Sequence, residues 1–301
     1  MQLQYLVDGS AYTAGRLGLL SYAKVVYCQL GINDNGAGRT WSQWAANHLT
    51  LAKRCRPGTK YRPVTLTPAI VSGDYGLALP SYTAATGAAT QVQRGQEADR
   101  KLCNSWIRNG CQVDGSGNPV QSGGTSSPYI DAANFFDAAS FVEVNASNVL
   151  TLNGGYWMVP TTQDQTGLVV SSATYDGSVS GNNATSGAAG TITITTAPWT
   201  AGNLSQPGQG GKVIRMTGGS QAGKVAVISL NSTNVIALYS PTLSGYTGAP
   251  GAPVNPFTAA PAPGDTFEIW KVVSADGIHP PEYGQGLIAT GFAAHLAALY
   301  G

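Results

Sequence analysis

Asp276-Gly277-Ile278-His279, followed by Pro280, sets a carboxylate and an imidazole three residues apart in one loop. At that spacing the carboxylate can accept a hydrogen bond from one ring nitrogen. The bond orients the ring, stabilises its protonated form and leaves the other nitrogen free as a general base. The same residues also read as a helix start, with Asp276 or His279 as a cap ahead of Pro280. A second group, Gly31-Ile32-Asn33-Asp34, follows an apolar run at 24–30. An Asn at the carboxyl end of a strand can donate a hydrogen bond to a developing oxyanion, although Gly, Asn and Asp are also ordinary turn residues.

The elements that must position these groups change character along the chain. Residues 24–30 (KVVYCQL) read as a buried strand bounded by Gly31. Residues 40–54 place Trp41, Trp44, Ala45, His48, Leu49 and Ala52 on one helical face, with Pro57-Gly58 as the stop. Residues 64–67 read as the next strand, 96–108 as a helix ended by Asn109-Gly110, and 129–137 as a short strand and turn. Strand, helix, strand, helix, strand predicts an α/β unit with a parallel sheet and helices on its faces. From 152 to 273 helical patterning disappears. Strands are expected near 191–196, 212–216, 224–230, 234–239 and 266–272, separated by Gly, Asn and Pro turn chemistry. Residues 284–299 return to a helix, with Leu287, Ile288, Phe292, His295, Leu296 and Leu299 on one stripe.

Asn33 followed far downstream by Asp-x-x-His ahead of a closing helix resembles the SGNH hydrolases, also called GDSL-type esterases. The resemblance covers 1–150 and 274–301. Val64-Thr65-Leu66-Thr67-Pro68 is similar to that family's fourth strand, Asn104-Ser105-Trp106-Ile107-Arg108 to the helix before its fifth, and Tyr129-Ile130-Asp131 to the fifth. The resemblance implies a three-layer α/β/α domain of residues 1–151 and 274–301, with 152–273 as an inserted, mostly antiparallel β domain. It further implies a serine esterase in which His279 is the base, Asp276 orients it and Asn33 donates to the oxyanion.

The nucleophile block departs from the family order of Gly-Asp-Ser. In one reading Ser10 is the nucleophile, Gly9 is beside the oxyanion, and the family's edge strand is missing. In the other, Gly9 is the glycine after the second strand and the serine lies upstream. Loss of that edge strand keeps the remaining sheet order, whereas loss of a central strand leaves backbone unpaired, so we take Ser10. The implied reaction is hydrolysis of a short acyl or acetyl ester, with a carbohydrate ester a reasonable substrate, through an acyl-enzyme and without metal or organic cofactor. The alternative from another class is a catalytically inactive SGNH-like binding or structural module of a virion. The segment 212–230 and Pro263-Gly264-Asp265-Thr266 are similar in style to phage tail modules.

The chain has 301 residues, 16 Lys plus Arg and 15 Asp plus Glu, and only 10% of its residues are charged. A charge-poor chain of net charge +1 carries no overall electrostatic footprint for nucleic acid or an anionic membrane. No run is long and apolar enough for a membrane span, and Met1-Gln2-Leu3-Gln4 has no basic n-region, so a soluble chain without a visible signal peptide is expected. The compartment is left open between extracellular and virion-associated, and a homo-oligomer through the β domain is left open with it. His48 and His295 on apolar helix faces are expected to be packed and hydrogen-bonded, Trp41 and Trp44 to be core, and Cys28 to be a buried thiol. Pairing of Cys103 with Cys111 is not decided by spacing.

Overall fold

The computed structural model describes residues 20, 22–32, 34, 37–70, 88–89, 91–161, 163–175, 188–195, 199–204, 212–239, 259–274, 280 and 282–301. The chain is a mixed α/β protein. Its elements are β1 (Val25–Cys28), α1 (Trp41–Arg54), β2 (Lys60–Pro63), α2 (Glu97–Arg108), β3 (Gln112–Val113), β4 (Thr125–Ser126), β5 (Glu143–Val144), β6 (Tyr156–Trp157), β7 (Gln165–Val169), β8 (Ser172–Tyr175), β9 (Ala188–Thr193), β10 (Lys212–Met216), β11 (Val225–Asn231), β12 (Val235–Tyr239), β13 (Thr266–Lys271) and α3 (Glu282–Tyr300).

β1 and β2 pair in parallel, Val25 opposite Lys60 through Cys28 opposite Pro63, with α1 as the crossover. Alternation divides their side chains between two faces. Cys28 and Tyr61 point to one side and pack with Trp44, Leu49, Trp106 and Ile107 of α1 and α2. Tyr27 and Arg62 point to the other, where α3 brings Phe292, His295 and Tyr300. α1 forms where expected because Thr40 and Gln43 build a capping box and Lys53 and Arg54 close its last turn.

The strand expected at 64–67 is corrected. Ladder pairing covers Lys60–Pro63, with one further parallel bridge from Val64 to Phe136. The backbone of Leu66 is taken by a side chain instead: Asn104 Oδ1 accepts its N–H at 2.7 Å, and Asn104 Nδ2 donates to its carbonyl at 2.9 Å. The strand expected at 129–137 is likewise corrected to two 3₁₀ turns, Ala132–Asn134 and Ala138–Phe141, around the Phe136 bridge.

Two hairpins that sequence reading did not anticipate, β3–β4 and β5–β6, are copies of one unit at a constant shift of 31 positions, Gln112 to Glu143 and Asp114 to Asn145. Asp114 Oδ1 accepts the N–H groups of Ser116 and Asn118, and Asn145 Oδ1 accepts those of Ser147 and Val149. Gln112 Oε1 accepts Gly124 N–H at 3.1 Å, and Glu143 Oε1 accepts Gly155 N–H at 2.9 Å.

β7 to β13 form one antiparallel sheet in the order β7-β13-β10-β11-β12-β9-β8. Its edge strands β7 and β8 are consecutive in the chain. Val170 N–H donates to Asp265 on one side and Ser171 N–H to Thr193 on the other, so the sheet curls back on itself and its edges meet. Ile192, Ile214, Met216, Ala226, Ile228, Ile236, Leu238, Phe267 and Ile269 fill the inside. On the outside, Val213, Val225 and Trp270 share a core with Val144 and Val159 of the β5–β6 region. The strands at β7 and β8 were not expected from the sequence. All four cysteines are free thiols, and burial pushes each above its ordinary range, so Cys103 and Cys111 do not pair.

Candidate functional site

Two residues beyond β1 come Leu30 and Gly31, which the core beneath them holds in place. Trp44 Nε1 donates to the Leu30 carbonyl at 3.3 Å. Gly31 has φ +133°, and a Cβ there would stand 1.8 Å from Trp44 Nε1. Only glycine accommodates both that backbone and that ring. Trp44 in turn lies 4.1 Å, centroid to centroid, from the His48 ring, and His48 Nδ1 is 2.7 Å from the Tyr61 hydroxyl. Beyond Gly31, the carbonyl of buried Asp34 accepts the N–H groups of Ala37 and Arg39, and Asp99 Oδ1 accepts the Trp41 N–H at 2.8 Å. The stretch between β1 and α1 is therefore pinned at both ends. Gly31→Ala is expected to lower unfolding free energy by about 1–3 kcal/mol through the forced shift of a buried indole. Urea denaturation checks this, and an unchanged midpoint would refute the close packing.

α3 frames the opposite approach to this end of the sheet. Phe292 packs with Val64 and Phe136, and Leu287 and Ile288 pack with Ile70 and Val273. Near the helix's far end, Arg62 donates to the hydroxyls of Tyr27 and Tyr300 at 2.6 and 2.8 Å and to Asp131 at 2.7 Å. Tyr27 also meets His295 Nε2 at 3.0 Å. Burial lowers the His295 pKa, and the Arg62 charge lowers it further. α3 therefore runs against the direction of β2, with its amino end toward the strands' carboxyl ends. There a Cβ on Gly284 would meet the Val273 carbonyl at 2.2 Å and Pro280 Cβ at 2.9 Å. Gln285 Nε2 donates to the Pro280 carbonyl at 2.9 Å. The two ends of the 274–281 segment are thus clamped together.

Five residues carry the expected chemistry: Ser10, Gly9, Asn33, Asp276 and His279. All five lie outside the described residues. What is described is their attachment: Gly31, Ile32 and Asp34 on either side of Asn33, and Ser274 and Pro280 around Asp276 and His279. Gly31 lies just beyond the carboxyl end of β1, and Ser274 and Pro280 lie ahead of α3, where Gly284 packs on Val273 and Pro280.

Sequence reading missed a buried charge cluster near this edge. Arg100 donates to both oxygens of Glu97 at 2.6 and 2.8 Å, to the Leu66 carbonyl at 2.6 Å and to Glu143. Arg100 and Glu143 are fully buried, and among the described residues Glu143 Oε2 has no hydrogen-bond partner. Burial raises the Glu97 carboxyl above its usual range; Arg100 opposes this and the Glu143 charge adds to it. The signal in the sequence was the 31-position repeat, in which Gln112 and Glu143 hold equivalent places. His48, His295, Trp44 and Cys28 have the packed roles expected of them, while Trp41 is only partly buried.

Searches of protein-family models, curated proteins and solved structures find no match to this chain.

Proposed function

We propose that the chain is an SGNH-type serine esterase: a three-layer α/β/α domain of residues 1–151 and 274–301 carrying 152–273 as an inserted β domain. Ser10 attacks the ester carbonyl while His279, oriented by Asp276, accepts its proton. Asn33 and backbone N–H groups at Gly9 and Ser10 donate to the tetrahedral oxyanion, where one donor is worth about 2.7–4 kcal/mol. His279 then protonates the leaving alcohol, and water releases the acyl group from Ser10. The observation that carries this reading is the orientation of α3. It packs on the face of β1 and β2 opposite α1, with its carboxyl end at Arg62 and its amino end, where Gly284 meets Val273 and Pro280, farther along the direction of β2. A general base and an oxyanion donor carried on separate segments must meet beyond the carboxyl ends of the strands, and an α3 that runs against β2 supports that placement.

The test is turnover of p-nitrophenyl acetate by the native chain, Ser10→Ala, His279→Ala and Asn33→Ala. Hydrolysis by the native chain and its loss in all three variants, with unchanged melting, is the expected result. Activity that survives Ser10→Ala but not His279→Ala makes Ser10 the wrong nucleophile. A native chain that turns over no ester across an acyl panel leaves the second reading, a module that binds without catalysis.

A further inference from the structure

The net charge of +1 averages over a marked segregation: residues 9–73 hold eight Lys or Arg and one acidic residue, Asp34, which is buried. The fold gathers most of these cations at the amino ends of β1 and β2. Lys24 precedes β1, and its carbonyl accepts the N–H of Lys60, the first residue of β2. Arg56 sits in the turn that leads into Lys60, closed by Thr59 N–H to the Arg56 carbonyl and by Thr59 Oγ1 to Ala23. Lys53 and Arg54 end α1 alongside. Lys24, Lys53, Arg56 and Lys60 are all exposed. Among the described residues, Lys24, Arg56 and Lys60 have no carboxylate at ion-pair distance, while the nearby Asp131 is committed to Arg62. Lys53 and Arg54 also serve the helix as cations at its carboxyl end. Lys24, Arg56 and Lys60 have no such duty, and only the more distant charge of Asp131 acts on Lys60, so like charges on one edge repel one another. Aromatic rings stand among them: Tyr22 is 81% and Tyr129 50% exposed, with Lys53 Nζ 5.3 Å above the Tyr129 ring.

We propose that this edge is a docking surface for an acidic polysaccharide. Its ammonium and guanidinium groups would pair with sugar carboxylates, and Tyr22 would offer an apolar face to a sugar ring. The choice of a glycan rests on the esterase reading above, in which a carbohydrate ester is the substrate. Charge density favours it over nucleic acid. The edge holds five cations, Lys24, Lys53, Arg54, Arg56 and Lys60, two of which also serve the end of α1, a number suited to a polymer with at most one charge per sugar. The basic edge and the segment carrying Asn33 lie at opposite ends of β1, separated by about 20 Å at the rise of an extended strand. The edge therefore holds the polymer away from the reacting bond and raises the local concentration of its esters.

The experiment measures binding of the full chain to sodium polygalacturonate, neutral dextran and a thymidine oligonucleotide at low salt and at about 0.5 M salt. The variants are Lys24→Glu/Arg56→Glu/Lys60→Glu and the corresponding triple Gln change, each checked for native melting. Expected is salt-sensitive binding to polygalacturonate and none to dextran. The loss should be on the order of a hundred-fold in the Glu triple and smaller in the Gln triple. Absence of native binding at low salt overturns the inference, as does binding that the Glu triple leaves intact. Tighter binding of the oligonucleotide than of polygalacturonate overturns the choice of partner. Turnover of p-nitrophenyl acetate, which needs no polymer, should be unchanged in both triples. Its absence in the native chain sinks the esterase reading, whereas a native chain that turns over the ester but binds no polygalacturonate sinks the docking surface alone.

Discussion

Arg100→Met is expected to destabilise the chain by about 3–5 kcal/mol, the usual cost of stranding a buried ion-pair partner. The guanidinium is the hub of a site with no water access. It holds both oxygens of Glu97, shares Glu143 with the Gly155 N–H, and satisfies the Leu66 carbonyl that no strand reaches. Methionine fills much of the volume and pairs none of them. Against a total stability of about 5–15 kcal/mol, the loss should show as a fall in melting temperature of about 10 °C or as failure to accumulate. Glu143→Gln is the informative contrast. The first hairpin already uses Gln112 to accept the equivalent N–H, so an amide can hold Gly155 as Glu143 does. It also removes the excess negative charge from a cluster of two carboxylates and one cation. The change should cost less than about 1 kcal/mol at neutral pH. It should also shift the pH dependence. A carboxyl raised in the folded state contributes stability that is fully present below its unfolded pKa and is lost as pH rises through its folded one. Without the Glu143 charge, the Glu97 carboxyl should fall toward its ordinary range and that alkaline-side loss should shrink. Thermal melts across pH decide the matter. Arg100→Met at native stability, or Glu143→Gln as damaging as Arg100→Met, would refute the hub.

How much of this was legible depended on whether the cause was local. α1 could be read because its cap and its apolar face, Trp44, Ala45, His48, Leu49 and Ala52, rest on spacings of three and four residues. β10, β12 and β13 could be read because side chains alternate between the filled interior and the outer face. The strand at 64–67 was misplaced by four residues because Asn104, some forty positions away, takes the Leu66 backbone in place of a strand. No propensity reports that. β7 and β8 escaped because Gln165–Val169 shows an exposed, Gly-containing pattern, and its strand character comes from β13 alone. The 31-position repeat was open to inspection, but its conserved feature is a side-chain acceptor, Gln112 or Glu143, rather than an apolar period. The net charge hid the basic edge because opposite signs cancel in a sum and do not cancel across a surface. Of the expected site, the sequence could name chemical types and the fold shows their attachments. Pairing of Ser10 with His279 is a tertiary matter on which the local pattern is silent.

Acidification from pH 6.5 toward 3 should remove about 5 kcal/mol of stability through His48 alone. His48 is fully buried between Trp44 and Tyr61, and burial pushes its pKa from 6.5 down to about 3; the Leu30 carbonyl and Asp34 pull weakly the other way. With the Tyr61 hydroxyl donating to Nδ1, the neutral ring carries its proton on Nε2, with the Leu30 carbonyl as the backbone acceptor acting on the ring. A second proton would have to displace Tyr61's, and it would place a charge in a core of Trp44, Trp106 and Leu49. The sign follows from the depressed basic pKa. The contribution is complete above the unfolded value of 6.5 and disappears progressively as pH falls toward the folded one, because the unfolded chain binds a proton that the folded chain refuses. Asp131 and Asp164, whose carboxyls are lowered by Arg62 and by Lys212 with Lys271, act in the same direction only at lower pH. Glu97 opposes them. His48→Asn isolates the imidazole: the amide oxygen can still accept from Tyr61, but nothing at that position titrates. The variant should be less stable at pH 8 through lost ring packing, and its stability should fall less steeply between pH 6.5 and 4, by about one proton. Urea unfolding at half-unit pH intervals measures both slopes. Parallel curves for the native chain and His48→Asn would mean that the buried imidazole plays no part in acid sensitivity. Converging curves would tie that sensitivity to the same Trp44–His48 pair that seats Gly31, so that the acid limit of folding and the seating of the β1 end share one side chain.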